Sequence, residues 1–529
     1  MIEYLKVNRR KTVVTVLFIL IETALQTVSA RILANLLDAA VAQNVSETIH
    51  LFALNVIIFC LFLLFKYCAK QLRTRTIQAM VKQYRNIICK QIAAKAPQHF
   101  AAETEGAFVS CLTNDAKIVE INAFDTLFTI IESISVVFFS AVALVSFHPL
   151  LMVVTLVFSA LILLIPNLHS IRYALQASQE LLSTANRQYT GTISDLLAGY
   201  IDLFQQDRQA LFLSTAKNAS ETFETAAVTS GCTGNKIETC ITLINIVSQM
   251  AVTFVTVLLV LVGRVSAGAL LSVGQLSGNI FNDLDTISNA ITKIQSVYGL
   301  LHPIHQVSNT ALKEGPDIPV PIIMRQVNYI YDSHPVFKHA VDFVIEPGKK
   351  YAIVGRSGSG KSTLVNILCG NYRDYEGSIC IGGTELRDMS YRWLHSHLIL
   401  MRQTPHLFNF SIEDNIFLGA NHSQEDLNRL LDSCALTEVV NALPQGAATL
   451  IGQGKVQLSG GQQQRVLLAR ILASGCRFVI LDEGTSSQDK ENSFAIESKL
   501  LHSPNLTLLI ITHHMNSNLV NEFDGILEL

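Results

Sequence analysis

Charge is scarce in this chain. Of its 529 residues, 15% are Asp, Glu, Lys or Arg while 50% are hydrophobic, and the mean hydropathy is +0.36. Soluble domains carry about 25% charged residues. Disorder, collagen-like repeats and a small disulfide-stapled fold are excluded by the same numbers. A basic excess is also missing. Residues 1–310 carry 21 Lys+Arg against 19 Asp+Glu (+2) and residues 311–529 carry 18 against 23 (−5), which excludes nucleic acid as the main partner. The ten cysteines contain no C-x-x-C pair and no zinc-ligand spacing, so reduced, buried cysteines are expected rather than a metal site.

The shortage of charge is concentrated in long runs. Ser133–Ile171 is 39 residues without an acid or a lysine or arginine. One helix of that length would be about 58 Å, nearly twice a bilayer core, and Phe147-His148-Pro149 divides it into two spans. Thr239–Gly263, Val265–Asn282 and Thr48–Phe65 are further uncharged runs of 25, 18 and 18 residues, and Thr12–Leu37 is apolar apart from Glu22 and Arg31. Six spans are therefore expected, near 12–37, 48–66, 125–147, 149–168, 238–263 and 265–288. The basic start, Met1–Lys11, followed by an apolar run without a cleavage signal, suits a first span.

Lysine and arginine set the orientation. Four precede the first span, none lies in Asp38–Glu47, nine lie between Lys66 and Asp125, and five lie in Ser170–Lys236. A multi-pass protein of the cell membrane follows, with the N-terminus and the C-terminal domain cytoplasmic. Within the spans, Glu22, Glu132 and Gln275 are candidates to line a substrate pathway, an interhelical contact being the alternative for Glu22. Arg31 suits the outer interface. The glycines of the polar sixth span, Gly268, Gly274 and Gly278, offer close packing as a competing explanation to cavity lining.

Four prolines in His302–Pro321 end the helical part. The expected division is a transmembrane domain over 1–300, a linker over 301–321 and a nucleotide-binding domain over 322–529. In the last, short β-branched strands alternate with helices, as in a parallel α/β domain. Tyr351-Ala-Ile-Val runs into Gly355-Arg356-Ser357-Gly358-Ser359-Gly360-Lys361-Ser362-Thr363 and then a helix-forming stretch. This is the strand–loop–helix context of a P-loop, in which backbone N–H groups and a helix N-terminus hold phosphates. Lys361 would reach the β- and γ-phosphates of ATP and Ser362 would ligate Mg²⁺. Phe478-Val-Ile-Leu-Asp482-Glu483 is an apolar strand ending in two acids, 121 residues after Lys361. Asp482 suits the Mg²⁺ shell and Glu483 the attacking water.

Leu458-Ser459-Gly460-Gly461-Gln462-Gln-Gln-Arg465 resembles the signature motif of ATP-binding cassette (ABC) proteins. The other pieces are similar and lie in the family's order. Gln403 in Met401–Pro405 resembles the Q-loop glutamine beside Mg²⁺, and Asp489 in Ser486–Asp489 the D-loop. His513 after Ile510-Ile-Thr resembles the switch histidine, and Tyr331 the aromatic that stacks on adenine. Pro97–Asp115 and Asp195–Gln206 are similar to the coupling regions of exporter-type half-transporters.

The resemblance implies an all-α six-helix transmembrane bundle followed by an α/β P-loop NTPase domain of ABC type. It implies ATP hydrolysis by Glu483, His513 and Gln403, with Ser459, Gly460, Gly461 and Gln462 acting in trans on a partner's nucleotide. A homodimer, or a heterodimer with a related half-transporter, is therefore expected to move a peptide, lipid, drug or other small molecule, outward by preference. Import of a metal chelate and an ATP-switched regulatory protein are the alternatives. Three departures from the family pattern stand out: Gly484 for proline, Gln488 for the D-loop leucine, and Gln453 for glutamate.

Overall fold

A computed structural model of the protein describes residues 2–95, 100, 105–164, 169–301, 313–316, 320–331, 334–356, 358–401, 406–452, 455–482, 500–512 and 522–529. The chain forms two units, Met1–Ala93 with Thr104–His305, and Ala94–Glu103 with Gln306–Leu529.

The first unit is helical. Its principal helices are Arg9–Val41, Val45–Ala93, Thr126–Phe147, Pro149–Leu164, His169–Ala198, Gln209–Leu261 and Ala269–Ser296. The helices of 49 and 53 residues, Val45–Ala93 and Gln209–Leu261, are about 74 and 80 Å long, more than twice a hydrocarbon core of about 30 Å. They continue well past any bilayer.

Four helical stretches among the described residues are long and apolar enough to cross a membrane: Arg9–Val41, Val45–Ala93, Gly106–Phe147 and Gln209–Leu261. Pro149–Leu161 is apolar but shorter. The segment expected as a sixth span lies in Ala269–Ser296, whose Ser272, Gln275, Ser277, Asn279 and Asp283 dilute its apolar character. Phe52, Ile57, Phe59 and Leu64 are exposed around Val45–Ala93, as lipid-solvated side chains would be.

Local chemistry sets the turns. Asn44 accepts a hydrogen bond from the Glu47 N–H at 3.2 Å and donates to the Glu47 carboxylate at 2.8 Å, so a short turn suffices between the first two long helices. At the turn expected near His148, that residue is extended and Pro149 opens the next helix, where its missing N–H costs nothing. At the last turn, Asp38 accepts from the Gly268 N–H at 2.7 Å, and a Cβ at Gly268 would lie 2.0 Å from the Ala34 carbonyl. The Ser272 hydroxyl donates to the Ala30 carbonyl one turn further on. Close packing thus explains Gly268, whereas a Cβ at Gly274 would meet nothing.

The second unit carries eleven strands among the described residues. They are β1 (Ile322–Asn328), β2 (Ile330–Tyr331), β3 (His334–Pro335), β4 (Val341–Ile345), β5 (Lys350–Val354), β6 (Glu376–Ile381), β7 (Thr384–Glu385), β8 (Leu398–Met401), β9 (Phe478–Asp482), β10 (Thr507–Thr512) and β11 (Gly525–Glu528). β4-β1-β6-β7 is an antiparallel sheet, β11-β5-β10-β9-β8 a parallel one, and β2-β3 a small ribbon. β5, β9 and β10 are buried almost throughout, as parallel strands covered on both faces must be. One core joins the two sheets through Ile322, Ile345, Leu368, Trp393 and Ile480; a second lies under the Gly460–Ala473 helix through Ile412, Leu431 and Leu467.

The cysteines correct one expectation. Cys369 and Cys434 are buried, but Cys60, Cys89, Cys232 and Cys240 are exposed on the long helices. An apolar run marks a helix that lipid can cover, not a side chain that protein covers.

Candidate nucleotide site

β5 delivers the chain to the P-loop at the carboxyl end of the parallel sheet. Gly358 and Gly360 take the left-handed conformation, with φ of 81° and 97°. At Gly360 a Cβ would also lie 2.7 Å from the Phe337 ring and 2.8 Å from Val336, so glycine is required twice over. The helix Lys361–Leu368 begins immediately, bringing its unpaired N–H groups to the loop. Lys361 is buried, and its ammonium donates to the carbonyls of Gly355 at 2.7 Å and Arg356 at 3.0 Å. Ser359 Oγ is buried without a hydrogen-bond partner among the described residues. A buried hydroxyl left unsatisfied costs free energy. Together with the ammonium and the helix N-terminus, it fits a cradle for phosphate oxygens.

Asp482 ends β9, and Val354 ends β5, with β10 between them. Two strand spacings put these ends about 10 Å apart, so Ser362 and Asp482 can flank one ion beside a polyphosphate. Arg356 follows Val354 by two positions, and Thr363 occupies the first turn of the helix. Tyr331 sits in the β2–β3 ribbon opposite His334 with its ring exposed, available to stack on a base.

The signature segment is organised as a helix cap. Ser459 Oγ accepts from the Gln462 N–H at 3.4 Å, and Gln462 Oε1 accepts from the Ser459 N–H at 2.9 Å. Ser459 and Gly460 are exposed, Gly461 and Gln462 half-buried. The helix Gly460–Ala473 therefore presents its N-terminus outward. Ser357, Gln403, Glu483, Asp489 and His513 lie outside the described residues, as do Gln453, Gly484 and Gln488.

The membrane candidates divide. Glu22 is buried, and its carboxylate is 3.6 Å from Lys66 Nζ. Glu132 is 3.1 Å from Arg73, which also holds Asp125 at 2.8 Å and donates to Thr129. Both acids thus make interhelical ion pairs, the alternative raised for Glu22. Gln275 is exposed. Arg31 packs 3.8 Å over the Phe147 ring and donates to Ser146.

Sequence reasoning missed Arg470 and Asn415, because no motif or period marks them. Buried Asn415 exchanges hydrogen bonds with the Phe408 backbone at 2.9 Å in both directions. Arg470 joins it from the signature helix.

The ABC transporter transmembrane-region model matches residues 12–284, just over half of the chain, and the ABC transporter domain model matches residues 338–486. The chain belongs to the ABC transporter family. The first relatives are described as ATP-dependent lipid A-core flippases. That of Vibrio cholerae is 35% identical over 238 residues, 44% of this chain and 40% of the relative. P-glycoprotein 14 of Caenorhabditis elegans is 31% identical over 257 residues, 47% of this chain and 19% of the relative. The chain thus spans less than half the length of these relatives. A Yersinia pestis lipid A-core flippase aligns further, 24% identical over 79% of this chain and 73% of its own length.

A solved structure, of a bacterial Atm1-family ABC exporter with ATP bound, matches with a TM-score of 0.83 at 22% identity, over 98% of this chain and 93% of that one. At that identity the likeness shows the fold. This ABC transporter is a multi-pass membrane protein with a helical transmembrane region followed by a nucleotide-binding domain.

Proposed function

We propose that two copies of this chain, or one copy and a related half-transporter, use ATP hydrolysis to export a peptide, lipid, drug or other small molecule across the cell membrane. The observation that carries this reading is the convergence of the Lys361 ammonium, the Ser359 hydroxyl, unpartnered among the described residues, and the Asp482 strand end at the carboxyl end of the parallel sheet. The nucleotide domain would face the cytoplasm, where the basic connections lie.

ATP would bind with its phosphates on the Gly355–Thr363 loop and its base on Tyr331. Mg²⁺ would be held by Ser362 and Asp482 with Gln403, and would neutralise charge developing on the phosphates. Glu483 would take a proton from the attacking water and His513 would contact the γ-phosphate. Asp489 would face the partner. The exposed Ser459-Gly460 cap, with Gly461 and Gln462, supports a γ-phosphate contact in trans, since a helix N-terminus favours an anion. Differential contact to nucleotide in the closed and open pairs is what could drive alternating access.

Purified chain in lipid nanodiscs tests this. Lys361→Ala should lose nucleotide affinity, and Glu483→Gln should bind ATP yet lose hydrolysis while holding the pair together. Unchanged turnover in either variant overturns the reading. Uptake into inside-out vesicles against right-side-out ones reads the direction.

A further inference from the structure

The nucleotide unit has a cavity of about 460 Å³ that none of the nucleotide-binding residues line. It opens at the amino ends of β8, β9 and β10, where Leu398, Phe478 and Thr507 begin those strands, and against Ile322 and Ile345 of the antiparallel sheet. The P-loop and Asp482 occupy the opposite, carboxyl ends. Along β9 alone, Phe478 and Asp482 are roughly 13 Å apart. The volume is within the range of about 300–1,000 Å³ typical of small-molecule pockets.

Trp393 is buried, and its indole N–H has no acceptor among the described residues. A buried donor left unpaired costs about 1–3 kcal/mol, and here the backbone at Gly315 packs against the indole beside it. The imidazole of His397 stacks on the indole, with centroids 4.3 Å apart, and its Nδ1 is 2.8 Å from the Trp393 carbonyl. With Ser396 Oγ 2.9 Å from the same nitrogen, the ring is fixed as a wall. Arg477 lines the mouth, exposed and without an ion pair among the described residues. The remaining wall is apolar, with Val320, Pro347 and Leu394 among its residues.

We infer that this cavity is a second ligand site, for a small amphipathic carboxylate whose apolar body lies between the two sheets against the Trp393 ring and whose acid end meets the Arg477 guanidinium at the mouth. Because it touches both sheets, an occupant would stabilise one packing of one sheet against the other. The site is independent of nucleotide hydrolysis, and so is its test.

Trp393 is the chain's single tryptophan, so the emission of the whole protein reports on this cavity. The full chain in lipid nanodiscs is titrated with sodium octanoate while its emission is followed, with 1-octanol as the uncharged control. A saturable spectral shift with octanoate is expected, and none with octanol. Arg477→Gln, an exposed position, should raise the half-saturating concentration about tenfold, the loss of one charge-assisted contact. A saturating non-hydrolysable ATP analogue should leave that concentration unchanged. A non-saturable response, equal responses to octanoate and octanol, indifference to Arg477→Gln, or competition by the nucleotide analogue would each overturn the assignment.

Discussion

Arg470 on the signature helix grips Asn415. Its Nε donates to the Asn415 carbonyl at 2.7 Å and its Nη2 to the Asn415 side-chain oxygen at 3.0 Å, while Nη1 donates to the His406 carbonyl at 3.0 Å. Asn415 in turn clamps Phe408. The segment that follows Gln403 is thereby tied to the helix that opens with Ser459-Gly460. Hydrogen bonds to a charged group contribute about 1.5–3 kcal/mol each, and these share one guanidinium. Arg470→Ala should therefore destabilise the nucleotide unit by about 3 kcal/mol. Arg470→Lys should recover only part of it, because one ammonium cannot reproduce the planar fork. Thermal unfolding of the purified chain checks both variants; equal stability of all three proteins would dismiss the strut.

Gly268 tests the packing of the last membrane helix. A methyl group there would lie 2.0 Å from a backbone carbonyl, which cannot swing aside as a side chain can. Gly268→Ala should cost about 1–3 kcal/mol through overpacking. Gly274→Ala, with open space around it, should be neutral or mildly stabilising because alanine favours the helix. If the two variants melt alike in lipid nanodiscs, the close approach is not what fixes that helix.

The Glu22–Lys66 pair predicts a non-additive result. Lys66→Met leaves a buried carboxylate without its partner and should lower stability more than Glu22→Gln with Lys66→Met together. Transport should survive in the double variant if Glu22 holds helices together, and fail if it contacts cargo. A double-mutant cycle on thermal unfolding, run beside vesicle transport, separates the two roles.

The last strand supplies a pH dependence. Hydrogen bonding from the Lys349 ammonium at 2.8 Å, and then from the Lys350 N–H at 2.9 Å, holds the Asp524 carboxyl below the usual range. A group with a depressed folded pKa stabilises the fold above its unfolded value of about 4, and that stability fades as pH falls through the folded value. Asp524→Asn should therefore lower stability near neutrality and flatten its loss on acidification below about pH 4. Melting curves across that range decide it; parallel acid limbs for both proteins would rule the contact out.

The legible parts of this protein were those whose chemistry is local. An uncharged run of 39 residues broken by His148-Pro149 reads as two helices, because no single helix of that length fits a bilayer, and Thr126–Phe147 and Pro149–Leu164 are separate helices. Gly358, Gly360 and Lys361 are readable because a phosphate loop needs left-handed backbone and a cation at fixed spacing. Ala269–Ser296 was harder. Its serines suggest a polar lining, yet Ser272 bonds to the Ala30 carbonyl and Gly268 abuts Ala34, partners more than two hundred positions away. Nothing in the local pattern distinguishes a hydroxyl facing a cavity from one facing a helix.

By itself, the sequence determined the membrane class and the strand–loop–helix of the P-loop, since each follows from hydropathy or from contacts within a few residues. Only the tertiary structure decided that Glu22 lies beside Lys66 and Glu132 beside Arg73. It alone decided that Arg470 braces Asn415 and that the buried Trp393 indole N–H has no acceptor among the described residues. The physical reason is the same in each case. A side chain's partner across a helix pair or a sheet interface is chosen by the three-dimensional path of the backbone, and no spacing along the chain encodes it.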